Sequence, residues 1–100
     1  MIVRIAADGV VVSDADDCDH LHVHTDLDAR GMQVALSTTE TGEPIDDDTV
    51  WLDLAVLRSR AQLVATAPDW PQRWEAMTSY AERKGWLSDD RRSVQVHIER

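Results

Sequence analysis

The chain has few residues of several types, and each shortage excludes a class of protein. Its 100 residues include one cysteine, one lysine and no phenylalanine. Because Cys18 is alone, no intrachain disulfide can form, and we interpret this residue as a surface thiol. No apolar run approaches the ~20 residues that a membrane-spanning helix needs. Asp8 also interrupts the only early apolar run, where a signal peptide would lie. We therefore expect a single domain spanning residues 1–100, located in the cytoplasm and free of membrane.

Negative charge is concentrated in the first half of the chain. The net charge is −9. Residues 1–50 carry ten more acidic than basic side chains, whereas residues 51–100 carry one more basic than acidic. Such a surface repels phosphate, so we expect neither nucleic acid nor an anionic membrane as a partner. A cationic partner, a metal ion and simple solubility remain as interpretations.

Alternating apolar residues predict five strands. Residues 1–7 and 10–12 form a predicted hairpin, because Asp8-Gly9 is a strong two-residue turn signal. Residues 20–26 and 32–38 form a second predicted hairpin around a turn at 28–31, with Gly31 in the left-handed conformation. Residues 38–48 are polar and contain Gly42 and Pro44, which predicts a loop. Residues 93–99 alternate again and form the last predicted strand.

The most distinct helix signal covers residues 69–84. Asp69 is the predicted N-cap and Gln72 completes a capping-box pattern, while Pro71 suits the first turn. Gly85 fits the position just after the helix, and Trp86 could fold back on Tyr80 or Ala81. The stripe expected to face the core consists of Trp70, Trp74, Met77 and Ala81.

Residues 50–66 fit two descriptions. A helix would place Val50, Leu54, Leu57, Ala61 and Val64 on one stripe, and Asp46–Asp48 would then favour its N-terminus. A strand over 50–57 would instead alternate its apolar residues. We prefer the helix and leave the strand open.

These elements predict the fold class. We expect an α+β, two-layer sandwich: an antiparallel sheet of about five strands with two helices on one face, in the order ββββααβ. The other face of such a sheet meets solvent or a partner.

The most unusual stretch is the acidic and histidine-rich segment 14–28. Asp14–Asp19 is too acidic to pair comfortably and is predicted to be a loop. In the strand that follows, the histidines alternate with Leu21 and Val23, so the imidazoles should share one side. Val94, Val96 and Ile98 turn the remaining histidine of the last strand toward the same side. The candidate metal ligands on the outer sheet face are therefore His20, His22, His24 and His97.

Geometry limits how many of these histidines can share one ion. His20 and His24 lie about 13 Å apart along a strand at ~3.3 Å per residue. A Zn²⁺ or similar divalent site would need two neighbouring histidines and a ligand from elsewhere, such as His97, Cys18 or Asp19. A pH-sensing surface is a further interpretation of the same residues.

The sequence leaves several function classes open. Our leading hypothesis is a small acidic binding or accessory domain without catalytic activity, which contacts a protein partner or a second copy of itself and needs no cofactor. Trp51 is a candidate anchor for that contact. The alternative is a small metal-dependent enzyme that uses His22 and His24 with His97. A third hypothesis is an enzyme with a Trp-lined small-molecule pocket between sheet and helices. Nucleophilic catalysis by Cys18 lacks supporting motifs.

Overall fold

The computed structural model describes residues 1–100 and contains a six-stranded sheet and three helices. The α+β class is confirmed, with one strand and one helix more than expected. The observed element order is βββαββααβ. The strands are β1 (Ile2–Ala6), β2 (Gly9–Ser13), β3 (His22–Thr25), β4 (Gly42–Pro44), β5 (Thr49–Asp53) and β6 (Ser93–Glu99), and the helices are α1 (Ala29–Thr38), α2 (Leu54–Val64) and α3 (Trp70–Lys84).

The sheet is mixed, not wholly antiparallel. Its spatial order is β2-β1-β3-β6-β5-β4. Strand β3 runs parallel to both of its neighbours, β1 and β6, and the other pairs are antiparallel. The predicted all-antiparallel sheet is wrong here because β3 does not turn back into a hairpin. It leads into a helix and pairs with strands from both ends of the chain.

All three helices cover one face of the sheet. Val3, Val23, Val50 and Val96 are buried on that face. They form one 21-residue hydrophobic cluster with residues of every helix, such as Leu57. The alternate strand positions are partly or fully exposed. The predicted two-layer arrangement with one open sheet face is therefore present in outline, and we call the open side the outer face.

Residues 29–38 are helix α1, so the predicted strand at 32–38 is wrong. The Asp28 carboxylate accepts a hydrogen bond from the Gly31 amide at 2.7 Å and caps the helix. Met32, Ala35 and Leu36 are buried at helical spacing, whereas Val34 is 59% exposed. The segment predicted to be a turn at 28–31 is thus a helix start.

Residues 49–64 combine both descriptions that the sequence allowed. Thr49–Asp53 is strand β5, and Leu54–Val64 is helix α2. Asp53 divides them, because its carboxylate accepts from the Val56 amide at 3.0 Å as the N-cap of α2. The predicted role of Asp46–Asp48 as a helix start is wrong. Asp46 instead accepts from the amides of Asp48 and Thr49 in the turn between β4 and β5.

Helix α3 matches its prediction closely. Trp70, Trp74 and Ala81 are buried, and Gly85 ends the helix in the left-handed conformation with φ 76°. The capping box does not form. The Asp69 side chain caps no amide and pairs with Arg73 at 3.0 Å instead.

The acidic segment 14–19 is a loop, as predicted, and it is tied down at several points. The Trp70 indole N–H donates to the Ala15 carbonyl at 2.7 Å. The Asp16 carboxylate accepts from the Thr66 hydroxyl at 2.6 Å and from the Ala67 amide at 3.0 Å. This loop therefore joins the start of α3 to the sheet.

No helix of the structure combines the length and the apolar character that crossing a bilayer would require.

Candidate functional site

Three of the four candidate histidines lie on the outer face of neighbouring strands. His22 and His24 belong to β3, and His97 belongs to β6. His24 pairs with Glu99 in the parallel register, and continuing that register by one residue places His22 beside His97. The His22 ring lies 3.6 Å from the Glu99 carboxylate. Adjacent strands thus bring His22 and His97 to the same part of the face.

His20 is separate from this group. It precedes β3, so the predicted strand start at residue 20 is two residues early. Its ring Nδ1 lies 3.1 Å from the Asp17 carboxylate in the exposed loop. The hydrogen bond with His20 lowers the pKa of Asp17 below its usual range.

No group of three or more His, Cys, Asp or Glu side chains is arranged to hold a metal ion. His22 of β3 and His97 and Glu99 of β6 lie on adjacent strands, and this set includes only one of the two neighbouring histidines that the prediction requires. A metal site there remains a prediction that requires these side chains to rearrange.

A second feature is a groove between α3 and β6, in the region between sheet and helices where the third hypothesis expected a Trp-lined pocket. The candidate ligands Cys18, Asp19, His20 and His97 are among the residues that line it. On its β3 side, β6 pairs with β3 only at Ile98 and Glu99. Nearer its start, Gln95 donates its amide proton to the Trp86 carbonyl at 2.7 Å, and Leu87 bridges to Val94. Between these two pairings β6 has an uncovered side, and a groove of about 650 Å³ opens there.

The groove has an apolar floor and an aromatic wall. Val94 and Val96 contribute to the floor, and Met77 of α3 lies beside them. Tyr80 and Trp86 pack edge to face with ring centroids 5.7 Å apart. Both rings remain partly exposed, at 47% and 42%. Partly exposed aromatic rings in a concave site are typical of a binding site.

Gly85 is what returns Trp86 to the groove. The left-handed Gly85 reverses the chain, and the Trp86 amide donates to the Ala81 carbonyl at 2.9 Å. The sequence did predict that Trp86 could fold back on Tyr80 or Ala81, and this contact is confirmed. The sequence could not show that the returning ring would line a groove, because the opposite wall comes from the distant loop at 18–21.

The rim of the groove carries opposite charges on its two sides. Asp19 lies on the loop wall and Arg83 on the helix wall. The Arg83 guanidinium lies 5.9 Å from the centroid of the Tyr80 ring and forms no ion pair within the chain. Asp19 likewise has no cationic partner among these ion pairs. Both charges are therefore free to pair with a ligand.

Cys18 lies at the base of the loop wall and is not the surface thiol that we expected. It is only 7% exposed and belongs to the hydrophobic core. Burial raises the pKa of the Cys18 thiol. The thiolate that a nucleophile or a metal ligand requires is therefore disfavoured.

Comparison of the chain with protein-family models, with curated proteins and with solved structures finds no match.

Proposed function

We propose that this chain is a small, acidic, non-catalytic binding domain of the cytoplasm, and that it binds a segment of another protein in the groove between α3 and β6. The observation that carries the proposal is the partly exposed pair of Tyr80 and Trp86 above an apolar floor. Aromatic residues with apolar surroundings are the commonest energetic centres of protein interfaces.

The shape and charge of the groove define the partner segment. A volume of about 650 Å³ accommodates a large apolar side chain with adjoining backbone. The unpaired Asp19 and Arg83 on opposite walls fit a basic residue on one side of that side chain and an acidic residue on the other. The partner is therefore a short segment with a large apolar residue between residues of opposite charge.

The buried state of Cys18 supports a binding role over nucleophilic catalysis. Its thiol has a raised pKa, and its sulfur lies 3.7 Å from the Ala15 carbonyl as a weak donor. The only imidazole–carboxylate contact in the same loop, between His20 and Asp17, lies at the exposed surface. Neither arrangement activates a nucleophile.

Selection from a displayed library of short random peptides tests the proposal. We expect enriched peptides to share a large apolar residue flanked by one acidic and one basic residue. Trp86→Ala should weaken their binding by at least about tenfold, because it removes the aromatic wall. Arg83→Glu should weaken binding of the same peptides and favour peptides with a basic residue in place of the acidic one.

Leu63→Ala is the control, because Leu63 is a large apolar residue of α2 that is 86% exposed and does not line the groove. It should leave peptide affinity unchanged. The proposal is wrong if no peptides are enriched, or if Trp86→Ala and Leu63→Ala bind the selected peptides equally well. Circular dichroism of both variants establishes that each remains folded.

The metal-dependent enzyme is the second candidate, favoured by the 3.6 Å contact between His22 and Glu99 and by the neighbouring strand positions of His22 and His97. Its first requirement is a bound metal ion, and an ion that binds only the folded state raises the melting temperature. Melts of the EDTA-treated protein with added Zn²⁺, Ni²⁺ or Mn²⁺ test this. A rise in the wild type that both His22→Ala and His97→Ala remove would support the candidate, and no rise with any ion would exclude it.

A further inference from the structure

Strand β2 forms one edge of the sheet, and one of its outward carbonyls is already occupied. An edge strand exposes unpaired backbone groups on which another strand can add. Arg60, from the middle of α2, donates from its Nη1 to the Val10 carbonyl at 3.1 Å. The contact is partly buried and joins residues 50 positions apart in the chain.

The antiparallel register with β1 identifies which other groups of β2 point outward. Val10 pairs with Ile5 and Val12 with Val3. Hydrogen-bonding direction alternates along a strand, so Val12 shares the outward orientation of Val10. Arg60 therefore interrupts the one row of backbone groups through which a second strand could extend the sheet.

The opposite edge is protected by different means. Strand β4 has only three residues, and the last is Pro44, which has no N–H to donate. Helix α1 packs against the same strand. Of the two edges, β2 is the longer, with five residues. Val11, in its centre, is 63% exposed on the outer face.

We propose that Arg60 prevents β2 from pairing with β2 of a second copy. Two identical strands related by a twofold axis pair antiparallel, so each molecule offers the other a complementary edge. With the guanidinium on the Val10 carbonyl, a second strand would have to displace it before it could pair. Without Arg60 that carbonyl is open, and the six-stranded sheets of two copies can join.

Light scattering after size-exclusion chromatography tests whether Arg60 prevents association through β2. Arg60→Met keeps the apolar stem but removes every donor. Arg60→Gln removes the charge and shortens the side chain by two atoms, so that its amide falls short of the Nη1 position, without adding apolar surface. At the same protein concentration we expect both variants to show at least about twice the wild-type mass, because each wild-type assembly could then join another through β2. Arg58→Met is the matched control, since Arg58 lies exposed on the same helix, and its mass should equal that of the wild type.

A second substitution locates the new contact. Val11→Lys places a charge in the centre of β2, where lysine opposes edge pairing. The double variant Arg60→Met with Val11→Lys should return to the wild-type mass. The inference is overturned if folded Arg60→Met and Arg60→Gln both keep the wild-type mass, or if Val11→Lys does not reverse their association. Circular dichroism melts of each variant establish that it is folded.

Discussion

Gly42 is the residue whose side chain the fold tolerates least. A Cβ atom built at this position would lie 1.9 Å from the Trp51 carbonyl oxygen of the paired strand β5. The obstacle is backbone, which cannot move aside as the end of a flexible side chain could. We expect Gly42→Ala to lower the free energy of unfolding by about 3 kcal/mol, at the upper end of overpacking effects.

Urea unfolding measures the Gly42 effect directly. The control is Glu43→Ala, on the next residue of β4, whose side chain is exposed. It should change the free energy of unfolding by less than about 0.5 kcal/mol. Equal stability of the Gly42→Ala protein and the wild type would contradict the close approach of β4 and β5.

Asp16 is a residue of the acidic loop whose contribution to stability depends on pH. Hydrogen bonds from the Thr66 hydroxyl, then from the amides of Ala67 and Thr66, lower the pKa of the Asp16 carboxyl below its usual range. A carboxyl with a lowered pKa in the folded state stabilises the fold above its unfolded pKa of about 3.9. That contribution is lost as the pH falls through the lower folded pKa.

The substitution Asp16→Asn isolates this contribution. We expect it to reduce stability near neutral pH and to have progressively less effect as the pH falls below about 3.9. Urea unfolding of the variant and the wild type across this range measures the difference. Asp19→Asn is the control, because the Asp19 carboxylate forms no ion pair in the structure. A difference between Asp16→Asn and the wild type that stays constant with pH would contradict the assignment.

At the scale of elements, one buried hydrogen bond joins α3 to the acidic loop. The Trp70 indole donates to the Ala15 carbonyl, and both residues are buried. Trp70→Phe keeps a buried ring but leaves that carbonyl without its donor, which costs about 1–3 kcal/mol. Trp74→Phe, one turn later, also loses buried area but no hydrogen bond.

Comparing these two variants separates the contribution of the hydrogen bond to stability from that of the buried ring. Both tryptophans are almost fully buried, at 3% and 4% exposure. We therefore expect Trp70→Phe to be the less stable variant by about 1–2 kcal/mol in urea unfolding. If the two variants lose the same stability, the contact with Ala15 does not hold the acidic loop to α3.

The elements that could be predicted from sequence are those with local signals. The β1–β2 hairpin was predicted from Asp8-Gly9, although the turn lies one residue earlier, at Ala7-Asp8, and Gly9 begins β2. Helix α3 follows from its tryptophan stripe and from Gly85. Helix α1 was missed because Val34 and Leu36 also alternate as a strand would. Its helical pattern is set instead by burial of Met32, Ala35 and Leu36, and burial depends on the sheet beneath them.

The division of residues 49–64 into a strand and a helix likewise depends on tertiary contacts that the local sequence does not show. Val50 and Leu54 fit a helical stripe, yet the chain changes from strand to helix between them. Asp53 was the available signal, since an aspartate before an apolar helix is a favoured N-cap. Residues 49–53 are extended because β5 pairs with β4 and β6. The pairing partners cannot be recognised from the sequence of this segment alone.

At the scale of the whole molecule, the histidine face could be predicted, whereas for the groove the sequence predicted only a Trp-lined pocket between sheet and helices and not the walls that form it. Alternation with Val23 and Ile98 was enough to place His22, His24 and His97 on the outer face. The groove depends on where β3 begins and where Trp86 returns to β6. Both are consequences of tertiary pairing between distant segments.

The whole sheet also restricts how the protein can self-associate. With Pro44 at one edge, Arg60 proposed to block the other and the helices on one face, the outer face is the part of the sheet left for a homodimer. Trp51 lies on that face, partly exposed, opposite Gln95 of β6. Arg4 and Glu99 supply opposite charges there, which two copies related by a twofold axis could pair.

We expect light scattering at micromolar concentration to give a mass above 11.3 kDa that rises toward twice that value with concentration. Trp51→Glu should restore the monomer, because a buried tryptophan anchor is worth about 2 kcal/mol or more at an interface, and a carboxylate there would be desolvated. Leu63→Glu is the control, since Leu63 is 86% exposed on α2, on the other side of the sheet. It should associate as the wild type does. A mass of 11.3 kDa at every concentration would show that the outer face is not a self-association surface, and the groove would then be the remaining binding surface.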